Sequence, residues 1–176
     1  MKMCKENENI VTERLTIRNV VQEDAAAIYE IWSNPNNQKY MGDPVSSLDE
    51  VIEICKNKEE NHQFKDGLLR VAVLKESQEI IGTCCFGAWE EPDRWGCGYS
   101  IKENCWHQGF ATEILKGILD FARECNVKIF EASCAHENEA SGHVLRKCGL
   151  IFDHKSTFKQ PMLNVVYEED NYVLYI

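Results

Sequence analysis

The chain has 176 residues, 19 Lys and Arg against 29 Asp and Glu, a formal net charge of −10, and 44% hydrophobic and 27% charged residues. That length suits one domain burying roughly 70% of its unfolded surface, and the composition is neither disordered nor fibrous. The acidic balance argues against a general nucleic-acid binder, whose non-specific affinity rests on Lys and Arg contacts to phosphate.

Residues 1–9 are polar and lack the apolar segment of a secretory signal, and no apolar run reaches the ~18 residues of a membrane helix. The expectation is one cytoplasmic domain over residues 1–176 with no membrane partner. Arg14-Leu15-Thr16-Ile17-Arg18 alternates as a half-buried strand does. Glu23 and Asp24 then open a helix carrying Ala25, Ile28, Ile31 and Trp32, which stops near Asn34-Pro35. Ser47-Leu48-Asp49-Glu50 has the form of a capping box, and Val51, Ile54 and Cys55 continue it as a second helix.

The period then changes. Residues 68–74 and 79–89 are rich in β-formers, and Lys75-Glu76-Ser77-Gln78 between them suits a hairpin turn. Gly96-Cys97-Gly98-Tyr99-Ser100-Ile101 reads as a strand whose glycines mark a bulge or a close approach by a ligand. From Gly109, the residues Ile114, Leu115, Ile118, Leu119, Ala122 and Cys125 trace one helical stripe. A strand over residues 128–134 follows, then a helix over 139–147 with Ala140, Val144, Leu145 and Cys148 inward. Gly149 stands where a left-handed residue ends it. Residues 151–158 and 165–176 read as final strands. The order β-α-α-β-β-β-α-β-α-β-β predicts a mixed α/β (α+β) sheet with helices on both faces.

Nine cysteines, an odd count without C-x-x-C spacing, support neither a disulfide framework nor a zinc site. Most sit in apolar segments, where free Cys behaves as a small hydrophobe. The five histidines form no H-x-x-x-H pair, so no metal is expected.

The stretch that carries chemistry is the strand–loop–helix passage through Trp106-His107-Gln108-Gly109-Phe110-Ala111-Thr112. Amides at a helix N-terminus carry the positive end of the dipole and can hold a phosphate, and small Gly109 and Ala111 leave room for one. On spacing alone a plain capped junction fits as well. Other phosphate motifs are missing: there is no G-x-x-x-x-G-K-[ST], and Gly96-x-Gly98 is followed by Ile101 where a dinucleotide fingerprint needs glycine. Ser141-Gly142 lies in no G-x-S-x-G elbow.

Trp106-His107-Gln108-Gly109-Phe110-Ala111-Thr112-Glu113 resembles the acetyl-CoA signature of the GNAT N-acetyltransferase superfamily, in the form typical of its ribosomal-protein serine/alanine N-terminal acetyltransferase branch. Thr12-Glu13-Arg14-Leu15-Thr16-Ile17-Arg18 with Asp24, and the block from Asn138 to Leu150, resemble that branch in the same order. The resemblance implies a mainly antiparallel sheet with a splayed central strand pair, into which the pantetheine of acetyl-CoA inserts beside Tyr99, Ser100 and Ile101. It puts the pyrophosphate on amides of His107 to Thr112, the pantetheine arm at Asn138, and Ser141 near the thioester sulfur. Read without the family, Asn138 is also a plain helix cap and Ser141 a small packing residue. Lys102, Lys116, Arg146 and Lys147 are candidate cations for the anionic carrier, and equally candidate solvated surface residues.

The implied reaction is direct attack of a neutral amine on the thioester. A main-chain amide of the Tyr99–Ile101 strand would stabilise the oxyanion, and Ser141 would hydrogen-bond or protonate the thiolate. The branch often carries an acid where this chain has Gly96; Glu90, Glu91 and Asp93 are substitutes from the preceding turn, although exposed turn acids are usually just solvated. Without a strong base, an α-amine of pKa about 7.8, roughly a quarter neutral near pH 7.4, is a better acceptor than lysine, about 0.1% neutral. A protein or peptide N-terminus is therefore the expected acceptor. The alternatives are a polyamine, aminoglycoside or amino acid, a silent CoA-binding module, and a thiol switch at Cys97 or Cys105. Monomer and homodimer stay equally open.

Overall fold

The computed structural model describes residues 6–42, 44–61, 63, 67–88 and 91–176. The strands are β1 (Ile10–Val11), β2 (Leu15–Asn19), β3 (Leu68–Leu74), β4 (Ile80–Ala88), β5 (Arg94–Ile101), β6 (Ile129–Ala135), β7 (Ile151–Gln160) and β8 (Val165–Tyr175). The helices are α1 (Ala25–Trp32), α2 (Pro35–Gln38), α3 (Leu48–Glu60), α4 (Phe110–Glu124) and α5 (Glu139–Lys147). Beyond the expected order, the chain adds the two-residue β1 and the single-turn α2. The strands form one sheet in the order β1-β2-β3-β4-β5-β6-β8-β7, parallel only between β5 and β6.

Alternation along β3 divides the interior. Leu69, Val71 and Val73 face one side with Val20, Ala25, Ile28, Val51 and Cys55 of the α1–α3 layer. Leu68 and Ala72 face the other, where Ile114, Leu115, Ile118 and Ala122 of α4 and Leu145 of α5 close the larger core. Helices therefore cover both faces, as the pattern predicts. Arg70 shares the larger core: its guanidinium lies over Phe86 and Phe121 and donates to the carbonyls of Glu6 and Glu8 at 2.8 and 2.7 Å. Burial pulls its pKa down to about 10.

Local chemistry sets the ends. The Ser47 hydroxyl accepts from the Glu50 amide at 3.2 Å, but the Glu50 carboxylate takes the Ser46 amide at 2.8 Å, so the capping box is displaced by one residue. Gly149, at φ +93°, closes α5. Ala140, expected inward, is exposed, and Gly142 takes the buried position. Among the described residues, Cys55, Cys84, Cys85, Cys97, Cys105, Cys134 and Cys148 are free thiols, whereas Cys125 is disulfide-bonded, against expectation. No helix of the described residues is long and apolar enough to cross a membrane.

Candidate active site

The sheet opens at its only parallel pair. Arg94, Trp95 and Gly96 of β5 pair with Ile129, Phe130 and Glu131 of β6, and the ladder stops there. Beyond Gly96, β5 runs on to Ile101 bonded only to β4, and β6 runs on to Ala135 bonded only to β8. The Lys102 amide donates to the Ile81 carbonyl, whereas the Ile101 carbonyl accepts from the Trp106 indole and Asn37 instead. Alternation then turns the main-chain groups of Tyr99 and Cys97 toward the gap, and those of Ser100 and Gly98 toward β4. Of the three residues expected to present backbone to a ligand, Tyr99 does so freely. Ser100 lies in the β4 ladder and the Ile101 carbonyl already has two donors.

The two residues singled out for chemistry meet at this gap. The Tyr99 and Ser141 hydroxyls are 3.0 Å apart, although 42 residues separate them in sequence. Asn138 caps α5 by accepting from the Ser141 amide at 3.2 Å, which fixes the serine at the helix start. Burial raises the Tyr99 pKa well above the ordinary phenol value, only partly offset by the Ser141 hydrogen bond, so Tyr99 keeps its proton and can donate it. The surrounding thiols are protonated too. Burial raises Cys97 strongly and pushes Cys134 up to about 11, so neither offers a thiolate nucleophile at neutral pH. Cys105 is likewise raised by burial.

The loop from β5 to α4 forms the second part. His107 and Gly109 both have positive φ, +60° and +81°, which bends the chain so that successive amides face outward. Among the described residues, the N–H groups of residues 107–112 have no acceptor, and the helical ladder begins with the Glu113 amide on the Gly109 carbonyl. Six donors in a row at the positive end of a fifteen-residue helix suit a diphosphate. Trp106 braces this loop from below: its indole donates to the Ile101 carbonyl at 2.8 Å and its ring packs on the core.

Arg14 stiffens the corner, a role its sequence position did not suggest. Its guanidinium stacks 4.1 Å from the Phe110 ring centroid, donates to the Gln108 carbonyl at 3.0 Å, and pairs with Glu113 at 2.7 Å. Burial pushes the Glu113 carboxyl up, but bonds from Thr12 and from the Arg14 amide and guanidinium outweigh it and hold it below its ordinary value. A cavity of 510 Å³ adjoins, lined in part by Gly109, Thr112, Lys116, Gly117 and Lys147. The other two candidate cations lie elsewhere: Lys102 pairs with Glu30 and Glu79, and Arg146 donates to the Tyr172 hydroxyl at 2.9 Å.

Among the described residues, the turn acids Glu91 and Asp93 do not reach the gap. Asp93 sits at the closed end of the β5–β6 pair, where its carbonyl receives the Lys128 and Ile129 amides. Six residues of strand, about 20 Å, separate it from Tyr99. Glu91 precedes it on the same exposed turn, and Glu90 lies outside the described residues.

Residues 14–151 match the family model described as an acetyltransferase (GNAT) domain. The uncharacterized N-acetyltransferase p20 of Bacillus licheniformis is 31% identical over 159 residues, spanning 84% of this chain and 88% of its own. The GNAT-family acetyltransferase from Bacillus anthracis superposes with a TM-score of 0.82 at 21% identity, covering 96% of this chain and 98% of that one. A RimL ribosomal L7/L12 alpha-N-protein acetyltransferase, solved with coenzyme A, superposes with a TM-score of 0.80 at 20% identity, covering 96% and 98%. At such identities the two structures speak for the shared fold.

Proposed function

The chain belongs to the GNAT acetyltransferase family, and we propose that this N-acetyltransferase moves the acetyl group of acetyl-CoA to the α-amine of a protein or peptide N-terminus. The observation that carries the reading is the splayed β5–β6 gap, bordered by the Tyr99–Ser141 hydroxyl pair and leading to the open amides of residues 107–112.

The residues present fit acetyl-CoA as a substrate. The diphosphate sits on the amides of His107, Gln108, Gly109, Phe110, Ala111 and Thr112, while the adjoining cavity carries Lys116 and Lys147 but also Glu8, Glu13, Glu113, Asp120 and Glu124, so the attraction for the anion comes from the amides. The pantetheine arm lies along the β5 edge, pairing with main-chain groups of Tyr99 and Cys97, as an added strand does. Asn138 holds Ser141 in position through the α5 cap. The thioester supplies an activated acetyl group that a neutral amine attacks directly. A gap-facing amide of β5 stabilises the oxyanion, and the Tyr99–Ser141 pair hydrogen-bonds and protonates the departing thiolate. The raised pKa values of Cys97 and Cys134 favour this direct route over a cysteine-bound acetyl intermediate.

The α-amine preference follows from its larger neutral fraction near pH 7.4, about a quarter against about 0.1% for lysine. The net charge of −10 adds attraction for cationic acceptors. The test is thiol release from acetyl-CoA with N-terminal Ser, Ala and Thr peptides, spermidine and aminoglycosides as acceptors. Peptides with a free α-amine should be acetylated fastest, and their N-terminally blocked forms not at all. Exclusive acetylation of spermidine or an aminoglycoside would replace this acceptor assignment, and CoA binding without turnover would make the protein a binding module.

A further inference from the structure

Strand alternation gives the gap two faces. Trp95, Cys97, Tyr99 and Ile101 of β5, with Phe130, Ala132 and Cys134 of β6, face the α4–α5 core where Ser141 lies. Gly96, Gly98 and Ser100 of β5, with Ser133 of β6, therefore face the opposite side, and so do Glu169 and Asn171 of β8, since Ala135 pairs with Glu169 and Ser133 with Asn171. Gly98 has open space where a side chain would stand. On this face, among the described residues, the Glu169 carboxylate is held by neutral partners alone. Glu169 accepts from the Ser133 hydroxyl at 2.7 Å through one oxygen and from the Ser156 hydroxyl at 2.7 Å through the other, and Asn171 donates to Ser156 at 2.9 Å.

We propose that Glu169 is the acceptor anchor, binding the ammonium group of the incoming amine on the sheet face opposite the Tyr99–Ser141 pair; the bound ammonium then gives up one proton to solvent, and the neutral amine attacks. The inference rests on the acetyl-transfer reading above and adds the residue that captures the second substrate. An ionised carboxylate has about four acceptor sites, and the two serines fill only one on each oxygen, which leaves sites for the three donors of an ammonium. Among the described residues no cation pairs with Glu169. Glu131 makes the contrast: it stands on the same face beside Gly96, but Arg94 grips both of its oxygens and neutralises it. Glu168 and Asp170, the sequence neighbours of Glu169, face the other side, where they meet Lys155 and His136.

The surroundings suit a cation carried on a chain. Tyr167, two residues from Glu169 on the same face, stacks on Phe158 at 5.4 Å and meets Tyr40 edge-on at 5.5 Å. Buried Gln160 donates to the Gln38 carbonyl at 3.1 Å, which ties the β7–β8 hairpin to the end of α2. Lys39 already lies over the Tyr40 ring at 4.7 Å, so the cluster accepts a cation, and its apolar rings suit the carbon atoms behind an ammonium held by Glu169.

The experiment compares Glu169→Gln with wild type and with Glu131→Gln. Acetyl-CoA is donor, and two acceptors are used: the best N-terminal peptide and an aromatic amine that is uncharged at neutral pH. Glu169→Gln should raise the peptide KM at least tenfold with kcat within about threefold. Its KM for the uncharged amine and its acetyl-CoA affinity should stay at wild-type values, and Glu131→Gln should resemble wild type throughout. An unchanged peptide KM, or equal losses on both amines, overturns the role of Glu169 while leaving acetyl transfer intact. If the wild type acetylates neither acceptor, the N-terminal acceptor reading falls and the anchor with it.

Discussion

The β5–α4 corner and the acceptor face of the β7–β8 hairpin border the same gap but are built from different materials. At the corner the functional groups are main-chain N–H donors, and the side chains of Arg14, Trp106 and Glu113 serve to hold the backbone in shape. On the acceptor face the main chain is committed to the β6–β8–β7 ladders, so recognition falls to side chains such as Glu169, Ser133 and Ser156. A site made of backbone keeps its ligand while sequence drifts around it. A site made of side chains changes its ligand with a few substitutions.

Removing the hydroxyls has the largest expected effect, because they stand between the corner and the acceptor face, where the bond to sulfur breaks. The double change Tyr99→Phe with Ser141→Ala should lower kcat about a hundredfold, as loss of general-acid help does, while CoA affinity measured by calorimetry stays within twofold. An unchanged kcat removes both residues from the chemistry. Next comes the backbone itself. Gly109→Val forces a β-branched residue to φ +81° and sets its Cβ 3.6 Å from the Arg14 guanidinium. CoA affinity should fall about tenfold, consistent with ~1–2 kcal/mol for a side chain in the left-handed region. Retained affinity would mean that the ligand does not use these amides.

The brace around the corner has a pH signature. Glu113 has its folded pKa held below the ordinary value, so its stabilisation is complete above the ordinary carboxylate range and is lost as pH falls through the lower folded value. Urea melts should show Glu113→Gln about 1 kcal/mol less stable than wild type at pH 7. The difference should shrink below pH about 4. A constant difference across that range would deny the ionic part of the brace. The smallest effect belongs to the exposed Arg94–Glu131 pair, whose side chains are 43% and 40% exposed. Arg94→Ala should change stability by less than about 1 kcal/mol.

The same contrast explains what the sequence could reveal. Element order was legible because period and caps are local: the α4 stripe, the Ser47 cap and the Gly149 stop all stand where the pattern predicts. The corner was legible as well, since a turn that needs positive φ and small residues leaves a contiguous motif. Family likeness put Tyr99, through its main chain, and Ser141 in one site, but their hydroxyl contact had no signal, because nothing in spacing joins residues of β5 and α5. Arg14 escaped notice because its partners Gln108 and Glu113 lie almost a hundred residues away. Arg146 reads as an exposed helical cation and is exposed, but its bond to Tyr172 carried no sequence signal because it depends on tertiary packing. Glu169 had no signal at all within a strand rich in acids; only the register of β6, β7 and β8 distinguishes it from Glu168 and Asp170.

The most direct test of the account is an amide NMR titration of the isotopically labelled protein with coenzyme A. The account predicts that the N–H resonances of residues 107–112 move most, followed by those of Tyr99 and Ser141, while Glu169 and its β8 neighbours stay still until an amine is added. Coenzyme A binding that leaves residues 107–112 unmoved, or no binding at millimolar concentration, would contradict it.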